Sequence, residues 1–424
     1  MVSVMGKRGL FLVWLCLVSA LPGMAQTEKL IDYVNPFVGT DGYGNVYPGA
    51  QIPFGGIQMS PDTDSKFYDA ASGYKYNHST LLGFSLTHLS GTGIPDLGDF
   101  LFIPGTGEMK LEPGTRENPE KGYRSHYSHE REWASPNYYA VELTDYGVKA
   151  EMTSGVRSGM FRFTYPQSDK SFIMIDMNHT LWQSCEWANL RMENDSTITG
   201  YKLVKGWGPE RHVYFTATFS KKLTGLRFMQ DKKPVIYNTS RFRSCYETWG
   251  KNLMACISFE TKAGEEVIVK TAISSVSTNG AKNNIEELSG LTFDDLKARG
   301  EALWEKELGK YTLTADLKTK RTFYTSAYHA ALHPFIFQDS DGQFRGLDKN
   351  IEKAEGFTNY TVFSLWDTYR ALHPWFNLVQ QDVNANIANS MLAHYDKSVE
   401  KMLPIWSFYG NETWCMIGYH AVSV

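Results

Sequence analysis

The chain is 424 residues long, with 42% apolar and 21% charged side chains, the composition of a globular protein of two or three domains rather than a disordered or collagen-like one. Forty-two basic against 46 acidic residues leave a formal charge of −4. With a mean hydropathy of −0.34, this speaks against nucleic-acid binding, a basic membrane-surface patch and a polytopic membrane protein.

Residues 1–25 read as a cleaved secretory signal. Lys7 and Arg8 form a positive n-region, Gly9 to Leu21 is an apolar run short for a bilayer, and Gly23-Met24-Ala25 offers a small-x-small cleavage site. The expectation is an exported protein, periplasmic, surface-held or released, with no integral membrane segment after cleavage. Cys16 falls within the signal, leaving Cys185, Cys245, Cys256 and Cys415. Their spacing offers no zinc pair, and Cys245 and Cys256 are close enough to share a hairpin.

From residue 26 to 282 the pattern has period two. Val148, Ala150 and Met152 alternate with Lys149, Glu151 and Thr153, and Val213, Phe215, Ala217 and Phe219 alternate with Tyr214, Thr216 and Thr218. One face then meets a core and the other meets water, and many short strands in series predict an antiparallel β-sandwich. The period changes near Asn283. Thr292-Phe-Asp-Asp295 resembles a capping box, and Leu296, Leu303, Trp304 and Leu308 recur at helical spacing, so a helical linker is expected over 283–310. Residues 311–424 look mainly helical, with helices expected over Thr322 to Phe337, Val362 to Leu372 and Val383 to Tyr395, and with Pro334 and Pro374 marking ends or kinks. The chain stops at His420-Ala-Val-Ser-Val424 inside an apolar stretch, which reads as a cut domain.

Several clusters offer chemistry. The Gly- and Pro-rich run from Asn35 to Gly56 forces tight turns, either as a structural connection or as a loop reaching into a pocket. Ser90-Gly91-Thr92-Gly93, followed by Asp96 and Asp99, is turn chemistry with sugar or calcium contact as the second reading. His329 and His333 stand at i, i+4, but Ala follows His329 where a zinc protease needs Glu, so helix packing is preferred over metal binding. Asp367 and Arg370 are expected to share a helical face beside Trp366. A carboxylate and a guanidinium together grip vicinal hydroxyls, and an indole stacks on the C–H face of a pyranose; a buried helix with an internal ion pair is the alternative. Glu412 is an isolated acid among aromatic neighbours. Desolvation there would raise its pKa and suit general-acid work, while a satisfied structural carboxylate is the other reading.

Taken in order, Asn35-Pro-Phe-Val-Gly-Thr40, Pro48-Gly-Ala50 with Pro53-Phe-Gly55, Gly83 to Gly93, Val362 to Pro374, and Gly410-Asn-Glu-Thr413 running on to Gly418-Tyr-His420 resemble glycoside hydrolase family 92, the calcium-dependent exo-α-mannosidases. The resemblance covers nearly all of the chain after the signal. It implies a β-sandwich, a helical linker and an (α/α)6 domain, with the active site between domains. It also implies hydrolysis of terminal α-mannosides, often α-1,2, with inversion, on N-glycans or mannan, by a monomer. By carry-over Glu412 is the general acid. Trp366, Asp367 and Arg370 hold the terminal mannose, and His420 with Gly91, Thr92 and Gly93 forms the rim. An inverting enzyme sets its acid and base roughly 6.5–9.5 Å apart, and Ca2+ tolerates six to eight oxygen ligands. Family members run well past the Gly-Tyr-His motif. The resemblance therefore implies a truncated (α/α)6 domain, with the base and most calcium ligands beyond Val424, and an inactive 424-residue chain. The competing readings are a non-catalytic glycan-binding protein on the same fold and a different (α/α)6 glycosidase or phosphorylase.

Overall fold

The computed structural model describes residues 28–65, 68, 70–236 and 246–424. The expected signal and Cys245 of the expected hairpin lie outside the described residues; Cys185, Cys256 and Cys415 are free thiols.

The alternating segments form two antiparallel sheets. The nine-stranded sheet runs, edge to edge, through Glu247–Gly250, Ser184–Met192, Thr197–Lys205, Arg211–Phe219, Glu265–Ser274, Ser158–Tyr165, Val148–Ser154, Tyr138–Leu143 and Glu132–Ser135. The seven-stranded sheet runs through Ser60–Asp62, Gly83–Ser85, Leu101–Thr106, Ser168–Asp176, Leu253–Thr261, Gly225–Gln230 and Lys233–Pro234. Because side chains alternate faces along a strand, Phe161, Phe163, Phe215 and Val267 of the larger sheet meet Phe84, Phe102, Ile173 and Ile257 of the smaller in one core. The rings of Phe102 and Phe161 are 5.0 Å apart. Each such fully buried side chain contributes on the order of 1.5–3 kcal/mol. Gly105 pairs with Phe172, whose ring fills the space that a Cβ at 105 would take.

The sandwich also buries charge. Lys202 and Arg211 point inward from the larger sheet, and both reach the Asp99 carboxylate, Lys202 at 3.0 Å; Asp96 lies 3.7 Å from Arg211. All four side chains are almost wholly buried.

The single linker helix expected over 283–310 is instead two helices, α1 (Thr278–Asn284) and α2 (Phe293–Leu308), with a 3-10 turn at Ile285–Leu288 between them. Ser277 caps α1, Gly290 turns the chain at φ 72°, and Thr292 and Asp295 form the capping box of α2. The expected water-facing side of Val148–Ser154 is also different. Glu151 is buried and paired with Arg162 at 2.9 Å, because α2 packs against that strand.

Beyond the linker, α3 spans Leu317–Ala330, earlier than expected, because the Asp316 side chain accepts from Thr319 N–H at 2.7 Å and starts it there. The expected helix over 362–372 is a single turn, α4 (Leu365–Thr368), followed by α5 (Leu372–Val379) and α6 (Gln381–Lys397). Pro374 sits in the first turn of α5, at the helix's N-terminal end as expected, where its missing N–H deprives no partner. Residues 335–361 form short hairpins instead of helix.

The loop around Pro53 settles as a structural joint. Gln51 donates from Nε2 to the carbonyls of Leu332 and Gly55, and its own carbonyl accepts from the Trp304 indole at 2.8 Å. Phe54 packs on Phe376 with ring centres 5.7 Å apart. No helix among the described residues is long and apolar enough to cross a membrane.

Candidate functional site

Glu412 lies in a segment of reversed backbone. Tyr409, Gly410, Trp414, Met416 and Gly418 all have φ between 48° and 86°. Glycine adopts this freely; the three bulky residues need their surroundings to hold them. Asn411 supplies part of that hold, donating to the Glu210 carbonyl at 2.8 Å and accepting from Lys349 Nζ at 2.6 Å. Burial pushes the Lys349 ammonium down to about 8.

This backbone turns the Glu412 side chain onto three N–H groups. Oε1 accepts from Trp406 at 2.9 Å and from Trp414 at 3.0 Å, and Oε2 accepts from Ile405 at 2.9 Å. His394 Nε2, on α6, stands 3.4 Å from Oε2. Burial pushes this carboxyl up, but His394 and the three backbone donors hold it below the usual carboxylate range. The expectation of a raised pKa is thereby corrected: it counted the desolvation among aromatic neighbours and not the donors, which outweigh it.

The second carboxylate, Asp367, is exposed on α4 and accepts from Ser364 Oγ. That hydroxyl accepts in turn from the Trp406 indole at 3.0 Å, so Trp406 connects the two acids. The internal Asp367–Arg370 ion pair of the alternative reading is not formed, and the shared helical face is not kept. Helix α4 ends at Thr368, and Arg370 donates to the Trp366 carbonyl at 3.0 Å, with its guanidinium 4.9 Å from the Trp366 ring and 5.0 Å from Tyr369. His420 stacks on Tyr369 at 4.0 Å and lies 5.3 Å from Trp366; its Nε2 is buried without a hydrogen-bond partner. Trp366, Asp367, Arg370 and His420 thus form one cluster, joined to Glu412 through Ser364 and Trp406.

Gly91, Thr92 and Gly93 lie in a separate loop. Leu89 and Leu97, at the two ends of their loop, share an apolar cluster with Trp406. Gly91 N–H donates to the Asn45 carbonyl at 2.7 Å, Thr92 Oγ1 donates to the Ile94 carbonyl at 3.2 Å, and both glycines are exposed. The loop continues into Asp96, which accepts from Trp207 N–H at 3.0 Å, and Trp207 packs 4.2 Å from Trp406. His394, Ser364 and Trp207 escaped the sequence reading as partners. Each sits on a different element from Glu412, and no local spacing announces the contact.

His329 lies in the last turn of α3, and His333 falls beyond its end rather than on the same face. Burial alone pushes His329 down to about 4 and His333 to about 3. Among the described residues, no group of three or more His, Cys, Asp or Glu side chains could hold a metal.

Residues 33–274 match the glycosyl hydrolase family 92 N-terminal domain, and residues 280–424 match the glycosyl hydrolase family 92 catalytic domain. A solved family GH92 α-mannosidase from Bacteroides thetaiotaomicron is 91% identical, with a TM-score of 0.92 over 93% of this chain and 53% of that one; it has also been solved in complex with mannoimidazole. A family GH92 inverting mannosidase from the same bacterium is 24% identical, with a TM-score of 0.80 over 94% of this chain and 52% of that one, a likeness of fold. An uncharacterized secreted glycosidase of Arthroderma benhamiae is 25% identical over 342 residues, 75% of this chain and 43% of that protein. The chain spans about half the length of the relatives it matches.

Proposed function

Because the chain belongs to glycosyl hydrolase family 92, we propose that it serves an α-mannosidase that removes terminal α-linked mannose from N-glycans or mannan. Hydrolysis is inverting and α-1,2 bonds are the preferred linkage. The observation that carries this reading is the agreement of both domain families, in order, along one chain. The cluster of Trp366, Asp367, Arg370 and His420, tied to Glu412 through Trp406, supports it chemically.

In this reading the Trp366 indole stacks on the C–H face of the terminal mannose, and Asp367 and Arg370 hold its hydroxyls. Glu412 is the general acid that gives its proton to the leaving oxygen. Its four donors favour the carboxylate, and loss of the His394 contact would shift the balance toward the neutral acid. The base that activates water is expected outside these 424 residues. The chain on its own is therefore expected to turn over no substrate. Calcium is expected from the family. Residues 1–25 act as an export signal, and the protein works as a monomer outside the cytoplasm.

A non-catalytic glycan-binding protein is the second reading. The full set of donors around Glu412 favours it, since a carboxylate so satisfied serves structure well. The test is anomer-resolved NMR of α-1,2-mannobiose with the longest protein that carries this chain, with and without Ca2+. β-Mannose released first, and lost in E412Q, supports the hydrolase. Binding of mannobiose without release supports the second reading and overturns the first.

A further inference from the structure

A cavity of about 500 Å3 lies over the outer face of the seven-stranded sheet, and none of its lining residues belongs to the Glu412 turn. Its floor is apolar, made by Leu82, Leu111, Tyr123, Met229 and Met254. Its rim is polar. Asp176 accepts from the Tyr123 hydroxyl at 3.1 Å and from Asn178 N–H at 2.8 Å, and Asn252 Nδ2 donates to Asp231 at 2.8 Å.

Two lining residues stand out. Gln183 commits its Nε2 to the carbonyls of Pro95 and Leu181, at 2.7 and 2.5 Å, and leaves Oε1 buried with no hydrogen-bond partner. A buried acceptor without a donor destabilises the protein that keeps it. Trp182 has a left-handed backbone, φ 88°, and its side chain is 54% exposed. A bulky residue in that conformation is an outlier of the kind that gathers at ligand sites.

The lining also selects by charge. Asp176, Asp231 and Glu112 stand against Lys232, which is already paired with Glu112. An anionic ligand is repelled and a neutral polyol is not. A pyranose fits this lining: its C–H faces meet the apolar floor and the indole, whose ring face is electron-rich, and its paired hydroxyls meet the Asp176 and Asp231 carboxylates and the Asn178 and Asn252 side chains.

We propose that this cavity is a second carbohydrate site, one that holds a neutral hexopyranose unit of a glycan without turning it over. The proposal rests on the reading that glycans are this protein's ligands. A chain of contacts links a lining residue of the cavity to the candidate active site. Gln183 bonds the Pro95 carbonyl, Asp96 beside it bonds Trp207, and Trp207 packs on Trp406.

The test is affinity electrophoresis of the 424-residue chain in gels containing yeast mannan, xylan or β-glucan, with W182A, D176N and W366A compared. The expected result is retardation of wild type and W366A by mannan. The apparent affinity of W182A and D176N falls about tenfold or more, with thermal midpoints unchanged. Retardation by xylan or β-glucan alone, lost in W182A and D176N, supports the cavity as a sugar site and counts against the mannose reading. Retardation lost in W366A and kept in W182A and D176N overturns the cavity proposal and leaves the function reading standing. Failure of the wild type to bind any of the three polysaccharides also overturns it.

Discussion

Trp406 holds Glu412 by its backbone and Asp367 by its side chain: the Trp406 N–H donates to Glu412 Oε1 at 2.9 Å, and the indole N–H donates at 3.0 Å to the Ser364 hydroxyl that donates to Asp367. One residue therefore fixes both acids, and its two roles are separable, because only the second depends on the side chain. W406F keeps the donor to Glu412 and removes the donor to Ser364. We expect a loss of about 1–3 kcal/mol in stability from the missing hydrogen bond and the smaller ring, read by urea denaturation. Affinity for methyl α-mannoside weakens as Asp367 loosens. An unchanged affinity in a folded W406F protein would sink the positioning role.

His394 is the side chain among the donors around Glu412, and the other three are backbone groups that no substitution removes. In H394A the balance shifts toward burial, and the Glu412 carboxyl titrates at higher pH than in the wild type. Site-resolved carbon NMR of the Glu412 carboxyl reads this directly. In an active, longer protein the acid limb of the rate profile moves the same way. A Glu412 titration that stays put would show that the 3.4 Å contact carries no electrostatic weight.

The buried charges in the sandwich predict opposite pH effects. Burial pushes Asp99 up, yet Arg211 and Lys202 hold it well below the usual range, whereas Asp96, less well compensated, is pushed by burial up to about 6. Against an unfolded value of about 3.9, Asp99 contributes stability above that pH and loses it as pH falls further. Asp96 contributes below its unfolded value and loses that contribution as pH rises through 6. D96N mimics the protonated side chain. It is expected to gain on the order of 1–3 kcal/mol relative to wild type at pH 8 and little at pH 4. Denaturant melts at the two pH values decide it, and an equal effect at both would refute the assignment.

Arg211 faces both carboxylates from a fully buried position. R211M leaves Asp99 with Lys202 as its remaining cation and the Thr87 hydroxyl, and should cost about 3–5 kcal/mol, as a buried pair broken on one side does. Adding D99N to R211M should recover part of that loss. A double variant no more stable than R211M would mean that packing, not charge, fixes this arginine.

Much of the sandwich was legible because burial on one face imposes period two, and Phe161, Phe163, Val213 and Phe215 obey it. The capping box at Thr292 was legible for the same reason that it works, since both partners are local. The break between α1 and α2, the early start of α3 and the single turn of α4 were not, because each depends on a cap or a turn whose competitor is tertiary. The state of Glu412 was least legible. Its strongest partners are main-chain N–H groups, which every residue carries, and their convergence is set by left-handed turns at Tyr409, Trp414 and Met416, residues with no preference for such turns. Arg370 pairs with rings and a carbonyl rather than with Asp367 because the helix that would have aligned the two stops first.

The joint at Gln51 bears on how chains of this kind can be recombined. Gln51 and Phe54 belong to the segment that opens the sandwich, yet their partners Trp304, Leu332 and Phe376 belong to the linker and the helices. A chimera that exchanges everything before Ser274 for the equivalent part of a distant relative inherits a foreign plug for a native socket. Its tolerated crossover points are then set by whether residues 48–56 travel with α2 and α5, not by where one domain's sequence ends and the next begins.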